Sequence, residues 1–158
     1  MRPLRLLGLL FGAMFAQWFC STYLSVAETG PQLLLLLTVA VAAVAGPVAG
    51  QCFGFLWGLF LDFLSSHVFG ANAMVLVFTA YFVGRLRRQM DVTGAASQAI
   101  LAAVLAPAHH LAVGLLGMVF EHAFLWVGWK QLLAAPIYAA ILAPLAFRAA
   151  ERNVGGRP

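Results

Sequence analysis

The chain has 158 residues, of which 63% are hydrophobic and 9% charged, with a mean hydropathy of +0.95. Soluble domains carry roughly 25% charged residues, so this balance excludes a water-soluble globular domain and predicts an integral membrane protein. The net charge of +4 comes without a basic face or a nucleic-acid-binding module, so it reads as a topology signal and a contact with anionic membrane lipid, not with nucleic acid.

A hydrocarbon core takes roughly 20 apolar residues per helix, which allows about six spans and leaves residues 1–158 as a single membrane domain. The apolar runs are continuous rather than alternating, which predicts an all-α bundle. In chain order the predicted spans are 4–26, 32–45, 48–64, 71–84, 95–119 and 131–147. The first closes at the turn-like Ala27 to Pro31, the second at Gly46 and Pro47, and the fourth at the basic "RLRRQMD". Spans two and four are short, which predicts tilt, continuation into neighbouring loops, or a re-entrant pair.

With both termini in the cytoplasm, Arg2, Arg5, Arg85, Arg87, Arg88, Arg148, Arg152 and Arg157 all fall inside, and only Lys130 outside. That obeys the positive-inside rule. The basic "MRPLR" before an apolar run resembles a signal peptide, but no small-x-small site closes the run. Cleavage would also leave an odd number of spans, so an uncleaved first helix is expected. Cys20 and Cys52 fall inside spans with no metal or redox spacing, and are expected to be small buried hydrophobes.

Along the third span Gly46, Gly50, Gly54, Gly58, Asp62, Ser66 and Gly70 stand four apart, which on a helix makes one strip of small residues ending in a carboxylate. Apolar helices in lipid associate through close van der Waals contact, which glycine at this spacing permits. The strip is therefore a packing surface, for another helix of the same chain or for a partner protein. Asp62 is the costlier member, since a charge in the membrane generally faces protein or water and marks a function or a specific partner. It could instead reach the outer interface and bond Ser65, Ser66 or backbone near the turn, although a carboxylate at a helix C-terminus opposes the macrodipole.

The segment "GQCFGFLWGLFLDFLSSHVFGANAMVLVFTAYFVGRLRRQ", Gly50 to Gln89, resembles the central signature of the bacterial rod shape-determining protein MreD family. The matching positions are Gly54, Gly58, Asp62, Leu64, Ser65, Gly70, Tyr81 and Arg85. "GPQLLLLL", Gly30 to Leu37, is similar to the family's proline-led second span, and "PIYAAILAPLAF" before Arg148 to its last helix. The resemblance implies a multi-pass, non-catalytic subunit of the elongasome in the bacterial cytoplasmic (inner) membrane. Such a subunit supports cell shape and lateral peptidoglycan synthesis. Its implied partners are an MreC-like protein and, through it, a RodA-type glycosyltransferase, a class B penicillin-binding transpeptidase and, indirectly, MreB. The implied fold is a six-helix arrangement like the S component of energy-coupling factor transporters.

Other candidates are weaker. His109 and His110 follow Pro107 in the fifth span, where a polar interior role fits best, with the carbonyl that Pro107 frees as an acceptor. Adjacent histidines point about 100° apart on a helix, so no metal site is expected. Glu121, His122, Trp126 and Trp129 in the last outer loop read as interfacial anchors or as a periplasmic partner contact. The five acids are scattered and no nucleophile elbow, phosphate loop or HExxH motif is present, so neither an enzyme nor a cofactor is expected. The alternative function is a small-molecule transporter S component, with Asp62, His109, His110 and Glu121 lining a pocket for a vitamin-like substrate.

Overall fold

A computed structural model describes residues 3–23, 32–64, 69–87, 89, 94–122 and 128–154. Among them the chain forms six helices and no strand: α1 Pro3–Tyr23, α2 Leu33–Ala45, α3 Pro47–Leu64, α4 Ala71–Leu86, α5 Ala95–Glu121 and α6 Trp129–Asn153. Three of them, α3, α5 and α6, are long and apolar enough to cross a membrane, which is the character of a membrane protein. Leu6–Thr22, Leu33–Ala45 and Ala71–Leu86 are shorter apolar helices. At 1.5 Å per residue α2 rises only about 20 Å, well short of a hydrocarbon core.

The shortest helix is the central one. Every residue from Leu34 to Ala42 is buried, and α2 touches all five other helices. A helix that is apolar all round must be covered all round, and α2 meets that demand with protein. Its one interior hydroxyl, on Thr38, donates to Leu34 O at 2.7 Å and so carries no unmet polar group into the core.

Gly46 and Pro47 make the turn from α2 to α3. Gly46 has φ +104°, which side chains disfavour, and its N–H still closes on Ala42 O at 3.0 Å. Pro47 then opens α3, where a missing N–H costs nothing. Beyond so tight a turn the two helices must run antiparallel and close. A Cβ added to Gly50 would lie 2.5 Å from Ala42 Cβ, and one on Gly54 would lie 3.0 Å from Thr38 Cγ2.

The strip then changes partner. Residues four apart drift about 40° around a helix at each step. Gly50 accordingly faces α2, Gly54 faces both Thr38 of α2 and Leu76 of α4, and Gly58 faces the Ala73 backbone of α4. Gly84 of α4 returns the contact at the other end, against Pro47. From Gly46 to Asp62 the predicted strip thus lies inside the chain's own three-helix core and is not open to a partner helix.

Several expectations need correction. Gly70 does not extend the strip: α3 ends at Leu64, and Gly70 is the left-handed residue, φ +95°, that begins α4, with open space where a Cβ would be. Ser66, with Ser65, lies outside the described residues. Cys52 is exposed rather than buried, because two positions after Gly50 places it on the opposite side of α3. The sixth helix starts at Trp129 and runs six residues past the predicted end, since "RAAERN", rich in alanine, arginine and glutamate, continues the helix beyond the apolar run.

On α6 the aliphatic residues divide by size, with Phe147 the large side chain among the buried ones. Ala135, Ala139, Ala143, Ala146 and Ala150 are buried, whereas Leu133, Ile137, Ile141 and Leu145 on the other face are exposed. Small side chains inside and branched ones outside suit a helix packed closely on one side and solvated by lipid on the other.

The glycine contacts predict opposite outcomes for one substitution at two places. Gly58→Ala would force a methyl into the Ala73 backbone and should cost about 1–3 kcal/mol. Gly12→Ala meets nothing within 4 Å and should be neutral or stabilise by up to about 1 kcal/mol. Apparent melting temperatures of both variants in detergent test this.

Candidate functional site

At one end of the bundle a layer of polar side chains is enclosed by the helices. It consists of Gln17 on α1, Gln32 before α2, Asp62 near the end of α3, Asn72 at the start of α4, and His109 and His110 on α5. Asp62 is 2% exposed and His109 4%.

Asp62 answers for a defect in α4. The first N–H groups of a helix lack intrahelical acceptors, and a Ser, Thr or Asp N-cap usually serves them. The N-cap of α4 is Gly70, which has no side chain to offer. Asp62 reaches across from α3 instead: Asn72 N donates to Oδ1 at 3.0 Å and Ala73 N to Oδ2 at 3.1 Å. The Asn72 side chain adds a third bond, Nδ2 to Oδ1 at 2.9 Å. The carboxylate sits where the α4 macrodipole is positive, which offsets its unfavourable place at the C-terminal end of α3. Among the described residues, then, its acceptor role is met by α4.

The chain of bonds continues to α5. Since Asn72 Nδ2 donates to Asp62, its Oδ1 is the acceptor for His109, whose Nε2 lies 3.2 Å away and donates. His110 turns elsewhere, and Gln32 Nε2 donates to its Nε2 at 3.0 Å. The carbonyl that Pro107 was expected to offer is therefore not the histidines' acceptor. The two rings diverge, with planes 66° apart and centroids 6.1 Å apart. No group of three or more His, Cys, Asp or Glu that could hold a metal occurs among the described residues.

Both ends of α2 are served in the same long-range manner. Gln17 Oε1 accepts from Leu33 N at 2.8 Å, while its Nε2 donates to Ser21 Oγ at 3.1 Å. At the other end Arg87 donates through a guanidinium N–H to Val44 O at 3.0 Å, placing a cation at a helix C-terminus. Trp57, wholly buried, ties α3 to α1 by donating to Leu10 O at 3.2 Å.

Sequence reasoning found Asp62 and the histidines but not their partners Asn72 and Gln32, nor Gln17 and Arg87 at the two ends of α2. Neutral amides in an apolar run were the available signal, since each demands a partner. His122 is the left-handed C-cap residue of α5, φ 54°, and is exposed, as is Trp129 at the start of α6. The Glu121 side chain and Trp126 lie outside the described residues. Of the family-like positions, Gly54, Gly58 and Asp62 are buried, and Leu64, Tyr81 and Arg85 are exposed. A small cleft between α2, α5 and α6 is lined by Gln32, Leu35, Leu36, Ala106, Ala135, Tyr138 and Ala139, and has room for about one water. Asp62, His109 and His110 do not line it. No protein-family model, no curated protein and no solved structure matches the chain.

The capping role of Asp62 makes a graded prediction. Asp62→Ala strands two backbone N–H groups and should destabilise by about 2–4 kcal/mol, whereas Asp62→Asn keeps one oxygen acceptor and should lose about half of that. Apparent melting temperature in detergent provides the measurement; equal losses would show that an acceptor at this position is not what matters.

Proposed function

We propose that the chain is a non-catalytic, MreD-like subunit of the bacterial elongasome. It would be held in the cytoplasmic membrane with both termini inside, and would support lateral wall synthesis by binding an MreC-like protein. The observation that supports this reading is that the resembling segment, Gly50 to Gln89, is largely one structural unit. In it Gly54 and Gly58 seat α3 against α4 and Asp62 holds the start of α4. Motif residues that build a hairpin suit a scaffold.

The reading changes what the motif does for a partner. Because the glycines and Asp62 are occupied by α2 and α4, partners would meet the outer surfaces instead. One of these is the face of α4 that exposes Met74, Phe78, Tyr81 and Phe82. The partner set implied by the resemblance is the MreC-like chain, with the RodA-type glycosyltransferase, the class B penicillin-binding transpeptidase and MreB reached through it.

Purification of the tagged chain from native membranes in mild detergent, followed by mass spectrometry, tests the proposal. Recovery of an MreC-like protein with wall synthases is the expected result. Recovery of ATPase subunits with a coupling membrane protein would replace it with the transporter reading. In the same experiment Asp62→Ala should reduce the yield of complex only in proportion to the loss of folded chain. A lower yield per folded chain would mean that Asp62 meets the partner directly.

A further inference from the structure

The polar layer is short of donors. Two of its buried atoms have no partner among the described residues, Gln32 Oε1 and His109 Nδ1. Gln32 Oε1 is an acceptor by chemistry, and His109 Nδ1 is one in the neutral ring because Nε2 donates to Asn72. An acceptor buried without a donor is costly, and native interiors usually meet such groups with protein or ordered water.

Gln32 also lines the cleft between α2, α5 and α6, and Ala106, Ala135 and Ala139 leave room there because their side chains are small. Gln32 and Tyr138 are the lining residues that carry polar side-chain atoms, one an obligate acceptor at Oε1 and the other a hydroxyl. We propose that this cleft is a binding site for a single ordered water, which donates to Gln32 Oε1 and uses the Tyr138 hydroxyl as its second partner. The inference does not depend on the elongasome reading. It makes the space between α2, α5 and α6 a hydration site, too small for a vitamin-sized ligand.

The first test is a structure of the full chain in lipid nanodiscs, at a resolution that shows ordered water. Density within hydrogen-bonding distance of Gln32 Oε1 in the cleft is the expected result. A dry cleft, with the Gln32 amide turned over so that Oε1 accepts from His110, would overturn the proposal. A double-mutant cycle provides a second reading that tolerates overpacking. Ala139→Val should displace the water and lower the apparent melting temperature by about 2–4 °C, and by less than half as much when combined with Gln32→Leu, which removes the acceptor. Equal penalties in the two backgrounds would mean that the valine merely crowds the helices, and the water site would be rejected.

Discussion

The structure depends on bringing acceptors and donors to helix ends that the sequence leaves bare. Each helix presents unpaired N–H groups at its start and carbonyls at its end, and a short helix inside a bundle cannot extend those ends into water. Here α2 is such a helix, and α4 starts on a glycine. Gln17, Asp62 and Arg87 reach in from other helices to meet these groups. Three caps from a distance do what local N-caps and C-caps do in soluble proteins, and they also fix which helix lies beside which. Without the carboxylate of Asp62, the glycine contacts would still bring α3 near α4, but the Asn72 and Ala73 N–H groups at the start of α4 would lose their acceptor.

The glycine register and the caps reinforce one another. The pairs Gly50 with Ala42 and Gly54 with Thr38 align α3 antiparallel to α2; Pro47 with Gly84, Gly54 with Leu76 and Gly58 with Ala73 align it antiparallel to α4. One more step along the strip brings Asp62 level with the first turn of α4. A substitution that shifted the helices by one turn would therefore uncouple the carboxylate from Asn72 and Ala73. Close packing and polar satisfaction select the same register, and this agreement is what lets a chain with so little polar chemistry specify one arrangement.

The helices and their order were legible in the sequence because apolar runs and Gly-Pro punctuation are strong local signals. The strip was legible as a packing surface, since four-residue spacing has a single geometric meaning on a helix. Its occupant was not, because a strip that drifts between two neighbours looks the same in sequence as one that faces a single partner. The central place of α2 was equally hidden: a lipid-facing helix and a fully enclosed one can have the same composition. Asp62 was legible as unusual but not as a cap, because the clue lay eight residues later, in the glycine at the start of α4. Gly70 was misassigned for the same reason, its spacing from Asp62 being coincident with the strip while its backbone serves the turn.

This interior assignment redirects the question of function. If the most distinctive residues are occupied in building the hairpin, a change in any of them acts on the rest of the chain through the fold, and a loss of binding speaks to the binding surface only where it exceeds the loss of folded chain. Exposed surfaces include the aromatic face of α4 and the branched aliphatic face of α6, neither of which sequence reasoning singled out, and Trp129 at the start of α6, which it read as an interfacial anchor or periplasmic contact. On these faces exposure to lipid and exposure to a partner helix call for the same apolar side chains. A partner would therefore be distinguished by shape and by the few polar groups it brings, and those that the chain itself holds ready are enclosed with Asp62, Asn72 and the histidines at one end of the bundle.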